Sequence, residues 1–146
     1  MNDSGAPACA LVLELTEGLL VDKRDTALAR MRELAALGIR FSIDDFGTGY
    51  SNLGYLKRMP LYELKIDKSF IRDTPDDADG DAIVCSILAM AAHLRLRVVA
   101  EGVETRAQAD FLDANGCPAM QGYLFARPQP LDQLLARLEA ETSSTI

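Results

Sequence analysis

Arg40-Phe41-Ser42-Ile43-Asp44-Asp45-Phe46-Gly47-Thr48-Gly49-Tyr50-Ser51 is the stretch that decides the fold. Arg40 to Ile43 reads as a short β-strand. Two aspartates follow at once, and then a loop whose glycines permit positive φ and a close approach of backbone to a ligand or partner. Asn52 to Met59 reads as a short helix stopped by Pro60, which can neither donate to the turn nor continue it. A strand that ends in carboxylates, turns through glycine and enters a helix is one β/α unit.

The unit recurs on both sides. Upstream, Leu11-Val12-Leu13-Glu14-Leu15 is an apolar run too brief for a helix. Arg24 to Leu37 then places Ala27, Leu28, Met31, Leu34 and Ala35 on one helical face before Gly38. Downstream, Tyr62 to Ile66 is a third strand. The loop Thr74 to Gly80 leads into a helix with Ile83, Ile87, Met90 and Leu94 inward. Arg97 to Ala100 is a fourth strand, and its helix opens with Thr105 and Gln108 at capping-box spacing and closes at Asn115-Gly116. Ala119 to Phe125 is expected to contain a fifth strand. A last helix from about Leu131 carries Leu131, Leu134, Leu135 and Leu138 on one face. Units in series without hairpin signals call for a parallel α/β sheet with right-handed crossovers.

The composition sets limits on function. The chain has 146 residues, 49% hydrophobic and 25% charged, as expected of one soluble globular domain. A formal net charge of −7 argues against holding DNA or RNA by neutralising phosphates and suits a carboxylate-rich metal site. No apolar stretch approaches the roughly 20 residues of a membrane span. The N-terminus lacks a signal-peptide layout, so the expected location is cytoplasmic. Cys9, Cys85 and Cys117 have neither disulfide nor zinc spacing and are expected as buried reduced thiols. His93, the single histidine, falls on a helix beside Leu94, which points to a structural role. Met90, Met120, Phe70, Tyr123 and Phe125 read as core rather than as a base-stacking platform.

In parallel α/β sheets, chemistry collects beyond the C-terminal ends of the strands. The first run delivers Glu14 and then Glu17, the second Asp44 and Asp45, the third Lys65 and Asp67, the fourth Glu101 and Glu104, and the fifth Gln121. Each has an ordinary reading: an aspartate can cap the next helix, and a lysine can extend its head to solvent. Together they would crowd carboxylates on one rim, at a cost in repulsion and desolvation that divalent cations and one ammonium would offset. Oxygen-only ligands favour Mg²⁺ or Mn²⁺ over zinc. The Gly47-Thr48-Gly49 loop is no dinucleotide fingerprint, because Asn52 stands where a third glycine is needed, and the chain has no Walker loop.

Five ordered motifs also carry a resemblance. Leu13-Glu14-Leu15-Thr16-Glu17, Asp44 to Leu53 (DDFGTGYSNL), Leu64 to Phe70 (LKIDKSF), Val99 to Thr105 (VAEGVET) and Gln121 to Pro128 (QGYLFARP) resemble the EAL domain family of bacterial cyclic di-GMP phosphodiesterases. The match runs from about Leu11 to Leu138 and covers only the C-terminal portion of that domain. The Glu-Ala-Leu string, with its metal-ligating glutamate and the substrate-binding arginine behind it, has no counterpart, and neither has an asparagine ligand of a later strand. Residues 1–146 would thus form a partial EAL domain. The implied fold is a modified TIM-type (β/α)8 barrel, with about five of its eight units present.

The resemblance implies two-metal hydrolysis of cyclic di-GMP to the linear dinucleotide. By position, Glu14 and Asp44 would ligate metal, Asp45 would hold a second ion, and Glu101 would fix that ion or the water. Lys65 would hydrogen-bond the attacking water, with Asp67 supporting it. Glu17 would pin the regulatory loop Gly47-Thr48-Gly49, which also contributes to dimer contacts, while Glu104 and Gln121 would lie near the substrate. An open partial barrel exposes two sheet edges, which invites self-association. Three readings follow: a fragment of a longer protein, a barrel completed by another chain, or a reduced, non-catalytic relative. The contrasting expectation is a non-catalytic nucleotide-binding or protein-interaction module.

Overall fold

The computed structural model describes residues 5–16, 24–48 and 53–143. After a 3-10 turn at Ala8–Ala10 the elements run β1 (Val12–Thr16), α1 (Arg24–Ala36), β2 (Arg40–Phe46), α2 (Leu53–Leu56), β3 (Glu63–Ile66), α3 (Lys68–Ile71), α4 (Ala78–Leu94), β4 (Arg97–Ala100), α5 (Arg106–Ala114) and α6 (Leu131–Ser143). The four strands form one parallel sheet in the order β1-β2-β3-β4. Each strand therefore pairs with the next through a helical crossover, as serial β/α units require.

The core fills the space between the sheet and its helices. Phe41 and Ile43 of β2, Leu64 and Ile66 of β3 and Val98 of β4 are buried, against Leu28 and Met31 of α1 and Val84, Ile87 and Ala91 of α4. Every residue of β3 is buried, as expected of a strand flanked on both edges and covered on both faces. On α4 the inward stripe is Val84, Ile87, Leu88 and Ala91. Ile83, expected inward, is 42% exposed, because the stripe is rotated by one position onto Val84. Thr105 and Gln108 form the expected capping box on α5.

The fifth strand is corrected to a single parallel bridge, Ala100↔Met120. The chain does run beside β4: Ala100 N–H donates to the Ala119 carbonyl (3.0 Å), Gln121 N–H to that of Ala100 (2.9 Å) and Val103 N–H to that of Gln121 (3.1 Å). It then turns, with Phe125 N–H on the Gly122 carbonyl. Gly122 presses against the backbone of Val103, where a Cβ would collide with the carbonyl oxygen and the amide nitrogen. The short α3, absent from the sequence reading, starts where Asp67 accepts from Ser69 N–H.

Several burial expectations also change. Tyr123 and Phe125 are 52% and 48% exposed, whereas Phe70, Met90 and Met120 pack against the core. Of the three free cysteines only Cys117 is buried, and Cys9 is exposed. His93 is exposed, with Nδ1 2.8 Å from the Ala89 carbonyl one turn back, so its ring serves the end of α4. The leucines of α6 stand on one face, but that face is uncovered, and so are Leu11, Val12 and Leu13 at the β1 edge. No helix among the described residues is long and apolar enough to cross a membrane.

Gly122→Ala is expected to lower the melting temperature more than Thr105→Ala, whose lost cap costs about 1 kcal/mol. The added methyl would collide with backbone, which cannot yield as a side chain can. Thermal melts of the two variants by circular dichroism compare them, and equal shifts would contradict this account of Gly122.

Candidate functional site: carboxylates around a buried lysine

Lys65, third residue of β3, projects its ammonium among three carboxylates: Glu101 Oε1 at 2.7 Å, Glu14 Oε1 at 2.9 Å and Asp44 Oδ1 at 3.0 Å. An ammonium has three protons, and here each has a carboxylate beside it. The lysine side chain is 10% exposed. Burial alone would pull its pKa down, but contacts with Glu101, Glu14 and Asp44 outweigh that effect and push it well above its ordinary value. The three carboxylates therefore favour the charged form of Lys65 in the metal-free site.

The strands deliver these groups in an unequal way. Glu101 lies just beyond β4, but Glu14 sits mid-strand, level with Ser42. Asp44 and Asp45 are adjacent, and regular β alternation would send them to opposite faces. A bulge prevents this. The β2–β3 register steps from Ile43↔Leu64 to Phe46↔Ile66, so β2 carries one extra residue, and Asp45 takes φ 52°. Aspartate tolerates that left-handed conformation better than most residues. The result places carboxylate oxygens of Asp44, Asp45 and Glu101 within 4.8 Å of one another.

Asp45 and Asp67 share a polar contact and shift in opposite directions. Burial, then the nearby charges of Asp44 and Asp67, push the Asp45 carboxyl above its usual range. Asp67 is also raised by burial, but hydrogen bonds from the Ser69 hydroxyl and backbone N–H hold it below the ordinary carboxylate value overall. A cation in the cluster would offset the crowding of negative charge that raises Asp45. Asp44 Oδ1 supports the same fit. It is buried and at ion-pair distance from Lys65 without hydrogen-bond alignment, which leaves a lone pair for an ion.

Beside the cluster lies an open cavity of about 300 Å³, lined by Lys68, Glu101, Gly102, Glu104, Gln121 and Tyr123 among others. Gln121 Nε2 donates a short hydrogen bond to Glu101 Oε1, so the expected rim residue from the fifth segment does reach the cluster. Glu104 lines the cavity away from Lys65. Gly47 has φ +99°, and a Cβ there would meet the Phe70 ring at 2.8 Å. Thr48 Oγ1 closes this turn on the Asp45 carbonyl at 2.9 Å. Glu17 and Gly49 lie outside the described residues.

Three features escaped the sequence reading. Lys68, at the start of α3, forms part of the cavity wall, and the Arg127 guanidinium sits 4.4 Å from the centroid of the Tyr123 ring. One pleat below Asp44 and Lys65, Ser42 Oγ donates to Glu63 Oε1 (3.3 Å), and Arg97 Nε lies 3.7 Å from Glu63 Oε2. Lys68 and Arg127 stood inside recognised motifs and could have been flagged there. The Ser42-Glu63-Arg97 layer had no such signal.

Residues 1–128 match the family model described as the EAL domain. The chain belongs to the EAL domain family. It is 52% identical over 126 residues to the bifunctional diguanylate cyclase/cyclic di-GMP phosphodiesterase MucR of Pseudomonas aeruginosa, which covers 86% of this chain and 18% of MucR. Among solved structures, the PaMucR phosphodiesterase in complex with c-di-GMP superposes with a TM-score of 0.86 at 47% identity, covering 91% of this chain and 54% of that one. Klebsiella pneumoniae BlrP1 in its manganese/cyclic di-GMP complex gives a TM-score of 0.81 at 34% identity, covering 87% and 32%. This EAL chain thus spans about a fifth of the curated relative's length and about half of the solved PaMucR chain. Its parallel α/β sheet is part of the TIM-like barrel of that family.

Lys65→Met should leave Glu101 and Asp44 without a counter-charge and cost about 3 kcal/mol in chelator. Millimolar Mn²⁺ should raise the melting temperature of this variant more than that of the parent. An unchanged melt in chelator would contradict the ion-pair account. Asp67 supplies a second test. Its depressed pKa contributes stability above the unfolded value near 4, and this is lost as pH falls through the folded value. Asp67→Asn should therefore flatten the acid side of the melting-temperature profile, measured from pH 7 to pH 3.

Proposed function

We propose that residues 1–146 are the C-terminal portion of an EAL-type phosphodiesterase domain that hydrolyses cyclic di-GMP to linear pGpG in a bacterial second-messenger pathway of the cytoplasm. The observation that carries the reading is the convergence of Glu14, Asp44 and Glu101 on one protonated lysine at the strand ends, in a chain of this family. The complexes of PaMucR and BlrP1 with cyclic di-GMP support the substrate.

Glu14, Asp44, Asp45 and Glu101 would hold two divalent ions, Mg²⁺ or Mn²⁺. When bound, such ions supply Lewis-acid polarisation of the attacking water and of the scissile phosphate. The protein's own groups do the rest. Lys65 stays protonated and donates to the water and to charge developing on phosphorus, at a fixed position that needs no reorganisation during the reaction. Asp67, held by Ser69, stands in polar contact with Asp45 and positions it. Gln121 orients Glu101, and Glu104 with Gln121 faces the substrate side of the cavity. Water adds to phosphorus as the P–O bond to the 3′ oxygen breaks, one of its hydrogens staying on the new terminal phosphate and the other ending, by way of solvent, on the departing 3′ hydroxyl.

A second reading rests on the open edge. Among the described residues β1 pairs only with β2, Glu14 is half exposed there, and the α6 leucines are uncovered. These surfaces support an assembly in which further strands of an EAL domain, or a second copy meeting at this edge or at the Gly47-Thr48 turn, cover the apolar faces. Without that cover the chain would bind nucleotide or a signalling partner and not turn over.

Incubation of the purified chain with cyclic di-GMP and Mn²⁺ or Mg²⁺, followed by chromatography of pGpG, tests the main reading. Product should form only without chelator, and Asp44→Asn should lower kcat by roughly 100-fold or more. Binding of cyclic di-GMP by a folded sample that yields no pGpG would favour the second reading.

A further inference from the structure

The sheet has a second end, and it carries a second site. At the N-terminal ends of β3 and β4, away from the Lys65 cluster, a cavity of about 330 Å³ opens between the turn after α2 and the turn from α4 into β4. Leu56 and Met59 are buried at its floor, with Leu61, Leu94 and Leu96 half-buried around them. Lys57, His93 and Arg95 stand exposed at its mouth. Arg32 adds a further cation, its Nη2 donating to the carbonyl of Arg58 in the turn that bears Lys57 (3.4 Å).

This arrangement runs against the character of the chain. Aspartate and glutamate outnumber lysine and arginine 22 to 15, yet among the described residues none of them lines this cavity. Among the described residues neither Lys57 nor Arg95 is in an ion pair, although Arg30, Arg72 and Arg106 on other surfaces each are. Arg95 is held in place by the backbone: it ends α4 in the left-handed conformation, φ 57°, with its N–H on the Ala91 and Ala92 carbonyls. His93 Nδ1 is committed to Ala89, which leaves Nε2 as its remaining polar atom.

We propose that this cavity is a docking site for an acidic peptide segment of a partner protein, which inserts a large apolar side chain on the leucine floor and sets carboxylates on Lys57 and Arg95. The volume lies at the small end of the range for ligand pockets, roughly 300–1,000 Å³, and so suits one anchoring side chain rather than a whole bulky ligand. The cations ring a concave apolar floor. A bilayer surface or a nucleic-acid backbone would instead call for an extended basic patch or track. An apolar anchor in a pocket with charge complementarity at its rim is a common way for a protein surface to hold a short segment. The site is independent of phosphodiester hydrolysis, since it shares no residue with the Lys65 cluster or its cavity.

The test is fluorescence polarisation of the labelled hexapeptide DELFDE with the full chain, alongside DEAADE, phosphatidylglycerol vesicles and a single-stranded oligonucleotide. DELFDE should bind saturably, DEAADE at least tenfold more weakly, and added salt should weaken both. Lys57→Glu with Arg95→Glu should cost tenfold or more in affinity without changing the melting temperature. If the charge reversal unfolds the chain, Lys57→Gln with Arg95→Gln gives the same reading with a smaller loss. Absence of saturable binding, equal binding of both peptides, an unaffected double variant, or binding of the vesicles or oligonucleotide in preference to DELFDE would overturn the proposal.

Discussion

The ammonium of Lys65 is the constraint on which the rest of the site depends. Three carboxylates from three different strand units stand within 3.0 Å of one nitrogen, and their mutual repulsion at that range would otherwise drive the strand ends apart or force one group to take up a proton. The carboxylates favour the charged form of the lysine, and the ammonium in turn holds them together. A group of this charge is suited to meet negative charge that develops during a reaction, and carboxylate-held divalent ions would polarise the water beside it.

The bulge in β2 is the second requirement. Two adjacent aspartates can serve one site only if the strand breaks its alternation between them, and Asp45 does so by adopting a positive φ. Its neighbours hold that conformation: Asp67 makes a polar contact with Asp45, and Thr48 closes the following turn on its carbonyl. The same bulge leads into Gly47, where only glycine clears the Phe70 ring. Loop, bulge and carboxylate cluster are therefore one mechanical unit, and a disturbance of the glycine loop has a direct route to the Asp44-Asp45 geometry.

Much of this was legible in the residues themselves. Short apolar runs ending in Asp44-Asp45, Lys65 and Glu101 announced both the parallel sheet and the rim where chemistry gathers, because strand length and strand-end polarity are local properties. What was hidden depended on neighbours. The pattern Ile83-Ile87-Met90-Leu94 is a sound helical stripe, but the sheet selected Val84 and its successors one position round. Ala119 to Phe125 has strand composition, yet the contact of Gly122 with Val103 turns it after one bridge. Tyr123 and Phe125 then face outward, where Tyr123 forms a wall of the cavity and stacks under Arg127. A polar layer of buried Ser42 and Glu63 with exposed Arg97 could not be foreseen, because each lies in a different strand and only their register brings them together.

The two ends of the sheet have opposite electrical character, and the strands explain how this is sustained. Along β3 and β4 the polar side chains on one face run from Glu63 and Arg97, which are paired in register, to Lys65 two residues on, roughly 7 Å away, and to Glu101 four residues on, roughly 13 Å away. Glu63 and Arg97 neutralise each other between the ends, so the acidic rim and the cationic mouth at Lys57 and Arg95 do not cancel through a shared network. A partner held at the lower cavity would touch the ends of β3 and β4 whose opposite ends carry Lys65 and Glu101. Strands of four residues, buried throughout in β3, leave little slack between the two. The two sites therefore stand apart at opposite ends of a packed sheet, and the carboxylate cluster is open to its surroundings chiefly at the β1 edge, through Glu14, the most exposed of the three carboxylates around Lys65.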